Sequence, residues 1–150
     1  MQIIKDRQII ANTWTFVADD EQFVAGNITV SPGRWQQDKA KLLAHDGKIG
    51  VRITPADNIA ELANDLNHLE LIELYFPAFA DGRLFSHAWL LRARYHYHGE
   101  IRAAGQYLPD QVFYLSRVGV NAFCPTRAED ITTTLSSLNT FTVKYQPSIN

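Results

Sequence analysis

The chain has 150 residues and a mass of 17.0 kDa, which suits one domain with its own core, about 70% of the extended surface being buried at this size. With 46% hydrophobic and 20% charged residues and a net charge of −2, disorder and an overall pull toward nucleic acid or an anionic membrane are excluded. The single cysteine, Cys124, rules out an intrachain disulfide and a Cys-only metal or iron–sulfur site.

The first residues carry Lys5, Asp6 and Arg7 and lack a signal-peptide core, and no apolar run reaches membrane-spanning length. A cytoplasmic protein is expected. Ile9, Ile10, Trp14, Phe16 and Val17 form an apolar β-like stretch, Asp19-Asp20-Glu21 signals a turn, and Asn27 to Val30 reads as a short strand. These pieces suit a hairpin or an arm. Ser31-Pro32 resembles an N-cap with proline at the first helical position, opening a helix through Trp35, Lys39 and Leu42 that ends at His45-Asp46-Gly47.

From Lys48 the pattern becomes regular. Ile49, Val51 and Ile53 alternate as a strand does, and Asp57 caps a helix carrying Ile59, Leu62, Ala63, Leu66 and Leu69. Leu71 to Phe76 is the next strand. Leu84, Ala88, Leu91 and Tyr95 mark a helix face, with Arg92 and Arg94 on its solvated side. Glu100 to Ala104 is a strand stopped at Gly105. Pro109 opens a helix with Gly119 as its left-handed exit, and Asn121 to Cys124 is a further strand. Thr126 and Glu129 have capping-box spacing before a helix from Ala128 to Leu138. Phe141, Val143 and Tyr145 suit a last strand or an extended tail.

This alternation specifies an α/β fold, with a mostly parallel sheet of about four β-α units behind a β-rich N-terminal segment. The expected division of the single domain is residues 1–47 for that segment and its helix, 48–140 for the β-α units, and 141–150 for the tail. Either an open three-layer sheet or half of a barrel-like array satisfies the pattern. A complete eight-unit barrel, which typically needs about 250 residues, does not fit.

Ligands of parallel α/β folds meet the carboxyl ends of the strands. Asp81-Gly82-Arg83 reads as a turn, or as an anion clamp in which Arg83 is supported by Ser86 while Asp81 orients it or acts as an acid or base. Arg102 lies near a strand end, where it either joins that clamp or pairs with Glu100 or Asp110. Asp110 sits in the first turn of a helix, as a capping group or a polar contact. These five residues, Asp81, Arg83, Ser86, Arg102 and Asp110, are the candidate anion-binding site. His87, His96 and His98 do not complete a standard metal site, and no metal is expected. Gly-x-Gly-x-x-Gly, Walker, Cys-x-x-Cys and His-Glu-x-x-His motifs are absent, so no cofactor is assigned.

The segments Phe76-Pro77-Ala78-Phe79-Ala80-Asp81-Gly82-Arg83-Leu84-Phe85-Ser86, Leu90-Leu91-Arg92, Gly99-Glu100-Ile101-Arg102-Ala103-Ala104-Gly105, Asp110-Gln111 and Arg117-Val118-Gly119-Val120-Asn121-Ala122-Phe123 resemble the spaced motifs of the bacterial DUF934 family. Val120 and Asn121 depart from its usual Phe and Asp. The resemblance implies a role near sulfite or sulfate reduction, where members often carry the label of oxidoreductase. A chain with one cysteine cannot build a four-cysteine cluster, which argues against independent sulfite reduction.

Three functions follow as expectations. One is an accessory protein docking to sulfite reductase or another sulfate-assimilation enzyme. The second is an enzyme or binding protein with an arginine-lined site for a sulfate- or phosphate-like oxyanion. The third is an interaction module, with Phe85, Trp89, Tyr95 and Tyr97 lining an interface such as that of a homodimer. No nucleic-acid or membrane partner is expected.

Overall fold

Asp6 and Arg7, both at positive φ, make the two-residue turn that hairpins favour. The turn joins β1 (Gln2–Lys5) to β2 (Gln8–Ala11). The computed structural model describes residues 1–77 and 82–144. After β3 (Trp14–Phe16) and β4 (Asn27–Val30) come two short helices, α1 (Pro32–Gln37) and α2 (Lys39–Leu43). β5 (Ile49–Ile53) leads through a 3-10 helix, Ile59–His68, to β6 (Leu71–Phe76). Next, α3 (Arg83–Trp89) runs into a π-helical turn, Leu90–Arg94, and β7 (Glu100–Gly105) follows. A 3-10 turn, Pro109–Gln111, opens α4 (Val112–Arg117), and β8 (Ala122–Cys124) precedes α5 (Asp130–Lys144).

The strands pair in the order β2-β1-β8-β7-β6-β5-β4-β3. From β3 to β8 each strand lies parallel beside its successor, the arrangement that repeated crossovers of one hand produce. β1 runs antiparallel to β8, and β2 antiparallel to β1. β2 therefore points the same way as β3, although the two stand at opposite ends of the pairing order. Only Asn12 and Thr13 separate them in sequence. Three Cα–Cα steps of about 3.8 Å span at most about 11 Å, so the sheet is curled until its ends meet. Asn12 N–H donates to Met1 O at 2.9 Å, and Val17 N–H to Thr29 O at 2.9 Å. The run from Gln8 to Val17 thus acts as one bent strand, its first half on β1 and its second on β4, and it closes a small barrel.

The period-2 alternation of the strands separates an outer from an inner face. Ile28, Val30, Ile49, Val51, Ile53, Ile72, Leu74, Phe76, Ile101, Ala103 and Phe123 form one core with Trp35, Leu42, Leu62, Leu84, Leu91, Val112, Leu115 and Ile131 from the helical segments. Helices thus cover the outer face, as in a barrel-like array and unlike an open three-layer sheet. The opposite parity holds Ile3, Thr29, Leu71, Glu73, Glu100, Arg102, Ala104 and Ala122, all buried but outside that core. The inner face thus combines apolar side chains with a buried polar and charged set, Thr29, Glu73, Glu100 and Arg102.

Several local expectations hold. Ser31 Oγ accepts from Arg34 N–H at 3.0 Å with Pro32 at the helix start, and Gly119 has φ +109°. Others are corrected. The segment after β5 is capped by Asn58, whose Oδ1 accepts from Ala60 N–H. The Asp57 carboxylate is occupied by Thr54 N–H at 2.7 Å and the Thr54 hydroxyl at 3.1 Å. The capping box at Thr126 does not form. Its hydroxyl donates to Gly105 O at 2.8 Å and Glu129 pairs with Arg127, so α5 starts at Asp130. Phe141 and Val143 continue α5 rather than adding a strand, and Tyr145 lies outside the described residues. Arg92 is no solvated face. It donates to Gly119 O at 3.0 Å and to Tyr97 O and Gly99 O at 2.8 Å each, tying two loops together.

Candidate functional site

Three neighbouring strands each carry a charge on the inner face at one level. The register sets Arg52 of β5 beside Glu73 of β6, and Glu73 beside Arg102 of β7. Arg102 is only 2% exposed. Its Nε donates to Glu100 Oε2 at 2.9 Å, a terminal nitrogen reaches the same oxygen at 2.8 Å, and the other donates to Asn12 Oδ1 at 3.1 Å. Lys5 Nζ approaches the other Glu100 oxygen at 3.4 Å. Burying such charges is tolerable because each has an opposite partner. Asn12 Oδ1 also accepts from Trp14 N–H at 3.0 Å, so the bend that closes the barrel is pinned to Arg102.

Arg52 is placed differently. Its Nε donates to Glu73 Oε1 at 2.6 Å. The guanidinium carbon lies 4.0 Å from the Phe16 ring centroid and 4.7 Å from that of Tyr75. Such cation–π contacts fix the plane of the group. Its two terminal nitrogens make no hydrogen bond to the described residues. The side chain remains 25% exposed.

Arg52 and Arg102 face a cavity of about 350 Å³ at the carboxyl end of the parallel strands. Its walls are Trp14, Phe16, Thr29, Glu73, Tyr75 and Ala104, and its rim is Gly105, Gln106, Cys124, Pro125 and Thr126. Arg52, Glu73 and Arg102 all line it, with Glu100 behind Arg102 as the partner of the second guanidinium. Burial and the neighbouring Glu73 push the Cys124 thiol above its ordinary range, against the pull of Arg102 and Arg52. The thiol is therefore protonated at neutral pH, which argues against a thiolate nucleophile.

Of the four described residues among the five predicted from sequence, only Arg102 lines this cavity, and its partner is Glu100, one of the two expected. Arg83 opens α3, Ser86 lies three residues on, and Asp110 sits in the 3-10 turn after β7; all three are exposed and none lines the mouth. Asp81 lies outside the described residues. Tyr97 is buried, and Phe85 and Tyr95 pack against the core, so of the four aromatic interface candidates only Trp89 is strongly exposed. Among the described residues no group of three or more His, Cys, Asp or Glu side chains is placed to hold a metal. No helix among them is long and apolar enough to cross a membrane.

Sequence reasoning missed Arg52 and Glu73. The available signal was parity: Arg52, Glu73, Glu100 and Arg102 occupy the strand phase opposite the apolar residues that were read as core. The motif residues beyond Arg102 act largely in the architecture. Gly105, at φ +84°, turns the chain out of β7 against Phe76 O. Gln111 Oε1 accepts from Leu108 N–H at 2.7 Å. Asn121 Oδ1 accepts from Ile101 N–H at 2.9 Å, and its Nδ2 donates to Asp6, so an amide at this position uses both donor and acceptor.

No curated protein matches the sequence. Residues 50–150, which run from within β5 through β8 and include every quoted motif, match the family described as bacterial protein of unknown function (DUF934). With two thirds of its length matched and the motif residues holding the strand exits and loop crossings together, the chain belongs to the DUF934 family.

Proposed function

We propose that the protein binds an oxyanion at the mouth of its barrel, with Arg52 as the recognising group and Arg102 as a fixed positive charge in the wall. The observation that carries this reading is the Arg52 guanidinium. One nitrogen is anchored by Glu73, its plane is set by Phe16 and Tyr75, and its terminal N–H groups are unclaimed by the described residues at a cavity. A planar fork with two available donors suits two oxygens of a sulfate-, sulfite- or phosphate-like group.

Isothermal titration with inorganic sulfate, sulfite and phosphate tests it. The expected result is saturable binding that Arg52→Ala abolishes and Arg52→Lys weakens at least about tenfold, because an ammonium keeps the charge but loses the fork. Arg83→Ala, outside the mouth, should leave affinity unchanged. Absence of binding at millimolar anion, or binding indifferent to Arg52→Ala, overturns the reading.

The family resemblance supports sulfite and sulfate as first probes. It also supports docking to sulfite reductase as the setting in which such a site is used. Affinity capture from cells grown on sulfate tests that partner separately. Failure to recover the reductase across replicates removes the partner and leaves the anion site to its own test.

A further inference from the structure

The mouth is too large for an inorganic anion alone. Its cavity of about 350 Å³ falls in the size range of small-molecule sites, whereas a tetrahedral oxyanion has only five heavy atoms. A second cavity of about 350 Å³ adjoins it. Gly105, Gln106, Pro125 and Thr126 line both. These four form a sill between the cavities, where the Thr126 hydroxyl donates to Gly105 O at 2.8 Å and links the exits of β7 and β8. The side-chain amide of Gln106 is exposed on this sill and makes no hydrogen bond to the described residues.

The two halves differ in chemistry. The inner one carries Arg52 and Arg102. The outer one offers Tyr107, Leu108, Pro109 and Pro125 as apolar wall, with Asp130 and Arg127 at its far end, paired to each other at 3.1 Å. An apolar pocket with a few polar groups beside a cationic one suits a molecule with an anionic head and an organic body.

We infer that the ligand is an organic oxyanion, such as a phosphate or sulfate monoester. Its head sits on Arg52, and its body crosses the sill at Gln106 into the cleft between the β7 and β8 exits. This deepens the anion reading and rests on it. The inner arginines supply affinity for any oxyanion. The outer cleft selects an ester over the inorganic ion.

The test is titration of the whole chain with inorganic phosphate and with phenyl phosphate, repeated on Arg52→Ala, Leu108→Ala and Gln106→Ala. Phenyl phosphate should bind at least about tenfold tighter than inorganic phosphate. Leu108→Ala, which lines only the outer cavity, should cut that preference severalfold while leaving inorganic phosphate affinity unchanged, Gln106→Ala on the shared sill should also cut it severalfold, and Arg52→Ala should remove both ligands. Circular dichroism confirms that each variant is folded. Leu108 and Gln106 are both exposed, so folding is expected to persist. Equal affinity for the two ligands with Arg52-dependent binding overturns the inference and keeps the anion site. Preference unaltered by either outer variant also overturns it. Loss of Arg52 dependence for both ligands overturns the anion reading itself.

Discussion

Arg52 and Arg102 flank the same glutamate, yet their surroundings give them different work. Arg102 has its donors engaged by Glu100 and Asn12, so its main contribution is to hold the inner face and the closing bend. Arg102→Met leaves Glu100 buried with only the partly exposed Lys5 nearby, and should destabilise the fold by about 3 kcal/mol, the scale for an orphaned buried charge. Urea unfolding measures this, and adding Glu100→Gln to the same chain should recover part of the loss. Tyr107 presents the opposite case. Its hydroxyl is buried without a partner among the described residues, so Tyr107→Phe should be neutral or stabilising by up to about 1 kcal/mol; a clear fall in thermal midpoint would refute that. The importance of Arg102 was legible from its position near a strand end. Its attachment to Asn12 was not, because that contact spans 90 residues of sequence and depends on how the sheet closes.

Strands were more legible than helices, for a physical reason. Each inner strand carries outward apolar residues at period 2 and is stopped by Gly or Pro, signals that tertiary contacts reinforced in Ile49–Ile53, Leu71–Phe76 and Glu100–Gly105. Helix starts depend on which neighbour a short polar side chain finds first. Asp57 and Thr126 had the right spacing, but Thr54 and Gly105 O took their hydrogen bonds. β1 was hidden for another reason: its Gln2–Lys5 stretch has apolar residues at adjacent positions and gains its place by pairing with β2 and β8. Gly105 is the sharpest local requirement. A Cβ there would lie 2.4 Å from Phe76 O, at φ +84°. Gly105→Ala should therefore cost at least about 2 kcal/mol in strain and displaced backbone. A chemical denaturation midpoint equal to wild type would show that the β7 exit is not so constrained.

At the scale of the molecule, the buried phenols make stability fall in alkali. Burial holds Tyr97 and Tyr107 well above the usual phenol range, against the opposing pull of Arg92 on Tyr97. The unfolded chain releases these protons near pH 10 while the folded chain keeps them. The stabilisation is full below about pH 10 and is lost as pH climbs from there toward the folded values. Urea midpoints at pH 8, 9.5 and 11 should decline steeply over the last interval, and less so in Tyr107→Phe. A flat profile would contradict the burial of these groups.

The bent strand also has a consequence for synthesis. The β1–β2 hairpin leaves the ribosome more than a hundred residues before β8, the strand it must join. Closing so large a loop carries an entropic cost that nearest-neighbour crossovers avoid. Until Cys124 has emerged, the charged lining has no far wall and stays hydrated. The inner face thus tolerates the wait in a way that a row of bare leucines would not, because Arg52, Glu73, Glu100 and Arg102 keep a half-made barrel from sticking to its neighbours.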